Sequence, residues 1–195
     1  MARAPQVYEV ELKFRVSDPA ALERRLAALG AEPEPAVEQV DRYFAHPARD
    51  FAVTDEALRL RRVGDDVALT WKGPRIDATT KTRREIELAV ARVTAEPTGG
   101  AVSIARWTEL LEALGFRQVR EVVKRRRIAV VRRAAAEIEA ALDDVAGLGT
   151  FLELEVQAGA ERVAEARAVI ESLAQELGCG PPERRSYLEL LLAAG

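Results

Sequence analysis

Charged side chains that could bind phosphate and metal ions recur at every second position of the predicted strands. In residues 7–16, Glu9, Glu11, Lys13 and Arg15 alternate with five apolar residues. Because successive residues of a strand point to opposite faces, this strand has one apolar and one ionic face. Carboxylates suit hard divalent cations, and ammonium and guanidinium groups suit phosphate oxygens. A strand of this kind also suits a surface in contact with water.

The same alternation recurs in later predicted strands, at 37–44, 57–63, 67–72, 82–90, 119–131, 135–145 and 151–156. The ionic positions are Glu9, Glu11, Lys13, Arg59, Arg61, Lys72, Arg83, Glu85, Glu87, Lys124, Arg126, Asp143, Glu153 and Glu155. Such charges are costly to bury without partners. Two interpretations follow: a solvated, salt-bridged sheet, or a barrel whose ionic inner face binds a polyanion together with metal ions.

Helices are predicted at 19–29, from about 103 to 114, and at 160–177, with a short final segment at 186–192. The first has Ser17 or Asp18 as its N-cap and Gly30 at its C-terminus. A turn at Gly64 joins two strands into a hairpin, and 95–100 is predicted to be a linker. These elements predict an α+β fold in which helices cover the apolar side of the sheet.

Composition limits the classes of function. The chain has 195 residues, a length that indicates one domain. Its net charge of −3 indicates no overall attraction to nucleic acid or membrane. It has no apolar run of membrane-spanning length and no signal peptide, so we expect a cytoplasmic protein. The single Cys179 and the single His46 suggest neither a metal site nor a catalytic base. The basic cluster lacks interleaved aromatic residues and is predicted to be solvated surface; it comprises Arg125, Arg127, Arg132 and Arg133.

The ionic motifs resemble those of a known family. Glu9-Val10-Glu11-Leu12-Lys13 resembles the N-terminal Glu-x-Glu-x-Lys signature of the CYTH superfamily, the triphosphate tunnel metalloenzymes. The later motifs follow in order: Leu58-Arg59-Leu60-Arg61, Leu69-Thr70-Trp71-Lys72-Gly73-Pro74, Arg83-x-Glu85-x-Glu87, Lys124-x-Arg126, Leu142-Asp143, and Gly147-Leu148-Gly149-x-Phe151-x-Glu153-x-Glu155. The resemblance spans almost the whole chain and implies an eight-stranded antiparallel barrel with a charged lumen.

The resemblance also implies roles for the ionic residues. The metal ligands, for Mg²⁺ or Mn²⁺, would be Glu9, Glu11, Asp143, Glu153 and Glu155. Phosphate oxygens would be held by Lys13, Arg59, Arg61, Lys72, Arg83, Lys124 and Arg126. Of these, the candidate catalytic residues are Lys13, Arg59, Lys72, Lys124 and Arg126. Glu85 and Glu87 would orient the cations or add metal ligands, and no residue stands out as a general base.

Within the family the chain is most similar to the class IV adenylyl cyclase branch. The stretches that carry this likeness are Tyr43-Phe44-x-His46-Pro47-x-Arg49-Asp50, Thr54-Asp55-Glu56-Ala57-Leu58-Arg59 and Arg185-Ser186-Tyr187. The resemblance implies conversion of ATP to 3′,5′-cyclic AMP and pyrophosphate. The alternatives are a triphosphatase acting on inorganic, thiamine or another organic triphosphate, and a polyphosphate-binding module without turnover. We expect a nucleoside or inorganic triphosphate as the ligand and a monomer or homodimer as the assembly.

Overall fold

Eight antiparallel strands form the centre of the molecule. The computed structural model describes residues 7–76, 80–92, 104–133 and 136–195. The strands are β1 (Val7–Arg15), β2 (Val37–Ala45), β3 (Ala57–Val63), β4 (Asp66–Lys72), β5 (Arg83–Arg92), β6 (Arg117–Arg133), β7 (Ala136–Val145) and β8 (Gly149–Gly159). They close into a barrel in the order β1-β5-β4-β3-β2-β6-β7-β8. The predicted eight-stranded antiparallel barrel is therefore confirmed.

Helices lie outside the barrel, as predicted. They are α1 (Pro19–Ala28), α2 (Phe51–Thr54), α3 (Ile104–Ala113), α4 (Val163–Glu176) and α5 (Tyr187–Ala193), and a 3₁₀ turn, Ala160–Arg162, precedes α4. Asp18 caps α1, since its carboxylate accepts a 2.9 Å hydrogen bond from the N–H of Ala21. The short α2 was not predicted, and the predicted linker at 95–100 lies outside the described residues. No helix in the described ranges is long and apolar enough to cross a lipid bilayer.

The apolar faces of the strands point outward, beneath the helices. Helix α4 places Ile170 against Val10 and Leu154 on the outer side of the barrel, and all three side chains are fully buried. Helix α5 covers one end of the barrel, where Tyr187 packs against Phe151 at a ring-centroid distance of 5.2 Å. Because the apolar side chains of each strand face outward, the ionic side chains that alternate with them point into the lumen.

The barrel closes along a short junction between β1 and β5. In the described residues these strands share two paired positions, and the second pairs Glu9 with Arg83. The same register extends to the residues just before β5, where the N–H of Lys81 donates a 3.0 Å hydrogen bond to the C=O of Glu11. The residues before β5 therefore help to close the lumen.

Candidate active site in the tunnel

A cavity of about 670 Å³ runs into the barrel and is lined mainly by the ionic faces of the strands. The predicted site residues on its lining are Glu9, Glu11, Arg59, Arg61, Lys72, Arg83, Glu85, Glu87, Lys124, Arg126, Glu153 and Glu155. The other two, Lys13 and Asp143, are fully buried and lie behind the lining.

Three carboxylates lie side by side on one wall of the cavity. Glu155 of β8 is directly opposite Glu11 of β1 on one side and Glu139 of β7 on the other. Burial, together with the charges of Glu9, Glu11 and Glu139, raises the pKa of Glu155 to about 9. Like charges at directly opposed positions destabilise a sheet unless a cation lies between them. The chemistry of this wall therefore fits a divalent cation with oxygen ligands.

No group of three acidic, cysteine or histidine residues in the described part of the chain is arranged to hold a metal ion by itself. A cation on the acidic wall would accordingly need oxygen ligands from elsewhere. Phosphate oxygens of a bound ligand are the usual supplement, since Mg²⁺ is often bound by one or two carboxylates plus substrate phosphates.

A cationic wall is built by β2 and β3. Arg61 donates hydrogen bonds of 2.7 Å from Nε and from Nη2 to the Asp41 carboxylate, and Arg59 contacts the same carboxylate at 3.4 Å. Burial alone would raise the pKa of Asp41, but the two guanidinium groups hold it well below its usual range. The Nε of Arg59 is buried and has no hydrogen-bond acceptor in the described residues. This nitrogen is enclosed by the protein, whereas the guanidinium group as a whole belongs to the cavity lining.

The cationic wall continues on β6 through Lys124 and Arg126. Asp143 accepts hydrogen bonds from Lys124 Nζ at 2.9 Å, from Arg126 Nε at 2.7 Å and from the Tyr187 hydroxyl at 3.0 Å. Arg126 also contacts Glu153. Burial, followed by the neighbouring Arg126, lowers the pKa of Lys124 to about 8. The structure therefore pairs Asp143 and Glu153 with these two cations.

A row of alternating charges on β1, β4 and β5 connects the two walls. Lys72 Nζ lies 3.3 Å from the Glu9 carboxylate and also contacts Glu85. Arg83 lies 3.6 Å from Glu85. Burial and the charge of Glu9 raise the pKa of Glu85, although Lys72 opposes this rise. Glu87 is at the exposed end of the row.

Lys13 lies beneath the C-terminal segment. Its Nζ donates to the C=O of Arg185 and is 4.1 Å from the centroid of the Tyr187 ring. Burial foremost, and then the charge of Lys81, lower the pKa of Lys13 to about 7. The structure thus does not bring Lys13 to the cavity surface with the other cations.

The charged residues of the lining that were not singled out in the sequence include Lys81, Asp41 and Glu139. The ionic alternation of β5 could have been extended back by two residues to find Lys81, which is 5% exposed. Asp41 belongs to a predicted strand whose inner face is not purely ionic. Glu139 lies on the same predicted face as Asp143 and could have been included with it.

The chain is similar to known proteins over most of its length. The CYTH domain matches residues 7–187 of the chain. The chain belongs to the CYTH family. Two curated relatives of this CYTH protein match over nearly its whole length. A Methanocaldococcus jannaschii protein, provisionally assigned as an adenylate cyclase, is 35% identical over 93% of this chain and 97% of its own. Adenylate cyclase CyaB of Aeromonas hydrophila is 30% identical over 94% of this chain and 88% of its own.

Solved structures share the same barrel. The PH1819 protein of Pyrococcus horikoshii is 38% identical, with a TM-score of 0.81 over 96% of this chain and 99% of its own. A Hippeastrum protein, described as an adenylyl cyclase candidate with a dominant triphosphatase activity, has a TM-score of 0.61 at 22% identity; the match covers 95% of this chain and 96% of its own. The Hippeastrum likeness concerns the fold alone.

Proposed function

We propose that this CYTH protein is a divalent-metal-dependent adenylyl cyclase that converts ATP to 3′,5′-cyclic AMP and pyrophosphate. The proposal rests on the way in which charged and apolar side chains are distributed along the cavity. Opposed cationic and acidic walls lie in the barrel, and an apolar rim lies at the end covered by α5. Two curated relatives with adenylate cyclase names support the same activity.

The cationic wall is suited to a triphosphate. Arg59, Arg61, Lys124 and Arg126 are on β3 and β6, and their counterions are other side chains of the barrel. These ion pairs orient the cations before a ligand enters, so little ordering is needed on binding. The guanidinium group of Arg59 lies on the cavity lining, where it offers a phosphate oxygen a charged donor.

We propose Glu11 and Glu155 of the acidic wall, together with Glu9 of the adjoining charged row on β1, as the metal-binding residues. Asp143 and Glu153 would instead orient Lys124 and Arg126, because both carboxylates already accept hydrogen bonds from these cations. A bound Mg²⁺ or Mn²⁺ would supply Lewis-acid polarisation of the ribose 3′-hydroxyl and the phosphate oxygens. The cations of the opposite wall would stabilise the charge that develops on the reacting phosphoryl group.

The apolar rim distinguishes a nucleoside triphosphate from inorganic triphosphate. The cavity lining there includes Phe51 of α2, Val119 of β6, and Leu188 and Leu192 of α5. Val119 is 42% exposed and Leu192 is 51% exposed. Apolar side chains at the mouth of a polar cavity are suited to the flat face of a base, and inorganic triphosphate has no use for them.

Product analysis tests the proposal directly. With ATP and Mg²⁺ or Mn²⁺, the protein should release cyclic AMP and pyrophosphate in equal amounts, measured by chromatography and phosphorus NMR. Leu192→Ala should raise KM for ATP and leave binding of inorganic triphosphate unchanged. Leu114→Ala is the matched control, because Leu114 is 61% exposed on the outside of the barrel. Formation of ADP and orthophosphate alone would contradict the cyclase proposal.

Hydrolysis of a triphosphate is the second candidate function. The walls that would hold the phosphates and metal are equally suited to positioning a water molecule against the terminal phosphorus. The Hippeastrum protein shares the barrel and is described with a dominant triphosphatase activity. Rapid cleavage of inorganic or thiamine triphosphate, with ATP ignored, would favour this candidate. Tight binding of all three without turnover would favour a binding module.

A further inference from the structure

Lys81 is fixed to Glu11 through both main chain and side chain. The N–H of Lys81 donates a 3.0 Å hydrogen bond to the C=O of Glu11, and Lys81 Nζ lies 2.6 Å from Glu11 Oε1. The pair continues the register in which Glu9 lies opposite Arg83, so both side chains point into the lumen. Lys81 is 5% exposed and Glu11 is 7% exposed. This is a buried ion pair at the edge of the acidic wall.

Other lysines of the tunnel are held differently. Lys124 is held by Asp143, which lies behind the cavity lining and already accepts from several donors. Lys72 contacts the two carboxylates of Glu9 and Glu85. The partner of Lys81, by contrast, is a carboxylate of the row in which like charges lie directly opposite each other. Lys81 therefore supplies positive charge beside carboxylates that lie directly opposite one another.

We propose that Lys81 is an internal counterion that occupies Glu11 in the ligand-free protein and turns to a phosphate oxygen when a divalent cation takes Glu11. The inference rests on the proposed function in so far as a metal ion and a triphosphate share the tunnel. Its consequence is that metal and triphosphate bind cooperatively: each alone binds weakly, and each favours the other by the same factor.

The electrostatics give the reason. A divalent cation at the Glu11 carboxylate would lie within a few ångström of Lys81 Nζ, where like charges repel strongly in a buried site. Without a polyanion, the displaced ammonium would have Glu153 as its nearby anion, and that carboxylate already interacts with Lys13, Lys124 and Arg126. With a triphosphate present, the same ammonium gains an anionic partner, so its displacement from Glu11 is offset.

Binding of Mn²⁺ in the absence of any phosphate tests the inference. Lys81→Met removes the ammonium and keeps a chain of similar length. We expect Mn²⁺, followed by electron paramagnetic resonance of the free ion, to bind this variant roughly tenfold more tightly than the wild type, the size of a modest coupling between two sites. In melting experiments, inorganic triphosphate added to Mn²⁺ should give a smaller further shift in the variant.

Two controls make the result specific to the pair. Arg84→Met removes a charge from an outward-facing position near the start of β5 and should bind Mn²⁺ as the wild type does. In a Glu11→Gln background, Lys81→Met should give no gain, because the carboxylate that it unmasks is absent. Unchanged or weaker Mn²⁺ binding by Lys81→Met, with the wild type binding measurably, would overturn the inference alone. Failure of every protein to bind Mn²⁺ would overturn the metal-dependent function as well.

Discussion

Asp41 of β2 lies directly opposite Arg61 of β3, and its carboxylate accepts two hydrogen bonds of 2.7 Å from the guanidinium group. Arg59 contacts the same carboxylate from two residues earlier in β3. A single anion therefore anchors two cations of the tunnel. The cationic wall is held in place by its own strands and does not depend on a bound phosphate for its arrangement.

Replacing that anion should lower stability in a pH-dependent way. We expect Asp41→Asn to lower the free energy of unfolding by about 3 kcal/mol at pH 7, because it leaves two buried cations without their shared counterion. The folded-state pKa of Asp41 is depressed, so its contribution is present above the ordinary pKa of an aspartate and is lost as the pH falls toward the depressed value. The gap between wild type and variant should therefore shrink below about pH 4 in urea denaturation series.

A gap that stays constant from pH 5 to pH 2 would contradict this account. Asp144→Asn is the matched control, since Asp144 is an exposed aspartate on the outer face of β7. It should leave stability almost unchanged throughout.

The two glutamates of β8 should respond differently to the loss of their charge. Glu155→Gln should lower metal-dependent turnover by about 100-fold or more, because it removes an anionic metal ligand. Its melting temperature without metal should change little at pH 7, since the raised pKa already keeps the Glu155 carboxyl largely protonated in the wild type. Glu153→Gln should instead lower the melting temperature, because Arg126 loses a buried partner.

Turnover and melting of both variants, measured with and without Mn²⁺, decide between these roles. Glu137→Gln is the control, because Glu137 pairs with Arg132 on the solvent-exposed surface. Retention of full metal dependence by Glu155→Gln would remove Glu155 from the proposed metal site.

Arg59 should discriminate a triphosphate from a single phosphate. Arg59→Gln should weaken binding of inorganic triphosphate, measured by calorimetry in EDTA, by about tenfold or more, since a charge-assisted donor is lost. Orthophosphate, which can reach few of the cations at once, should bind weakly to both proteins. The control is Arg62→Gln, since Arg62 lies in the same strand and pairs with Glu38 on the exposed surface. Equal losses in the two variants would indicate a surface effect.

The Tyr187 hydroxyl should matter for stability. Tyr187→Phe removes a 3.0 Å hydrogen bond to the buried Asp143, which should cost about 1 kcal/mol or slightly more in the free energy of unfolding. Tyr8→Phe serves as the comparison, because Tyr8 is half-buried on the outer face of β1. Equal effects of the two substitutions would mean that the hydroxyl does not hold the C-terminal segment to the barrel.

Much of the fold could be predicted because the alternation is unusually regular. Lys124 and Arg126 are buried while Arg125 between them is exposed, as their positions along a strand require. The alternation alone fits both an ionic lumen and a solvated ionic surface. Helices that cover the apolar face of the sheet distinguish the two, because the ionic face then lies inside the closed barrel. The four-residue helix at Phe51–Thr54 carries too short a pattern to be predicted.

The finer arrangement of the site depended on cross-strand register, which the sequence does not reveal. Asp143 is a carboxylate on the inner face of its strand, as a metal ligand would be. Its position opposite Arg126 in β6 pairs it with that cation, which supports the proposal that it orients Arg126. Lys13 likewise belongs to the ionic face of β1, but the distant Arg185 and Tyr187 cover it. Contacts between residues far apart in sequence decide which charges remain available to a ligand.

The short junction between β1 and β5 makes this the line along which the barrel is held together least firmly. On its other edge β1 is paired with β8 at nine positions, from Val7 to Arg15, whereas two positions are paired with β5 in the described residues. Local opening of a fold starts where the fewest backbone hydrogen bonds must break. The amide hydrogens of β1 that face β5 should therefore exchange with solvent earlier than those that face β8, and the barrel should open first along this junction while the remaining strands stay paired.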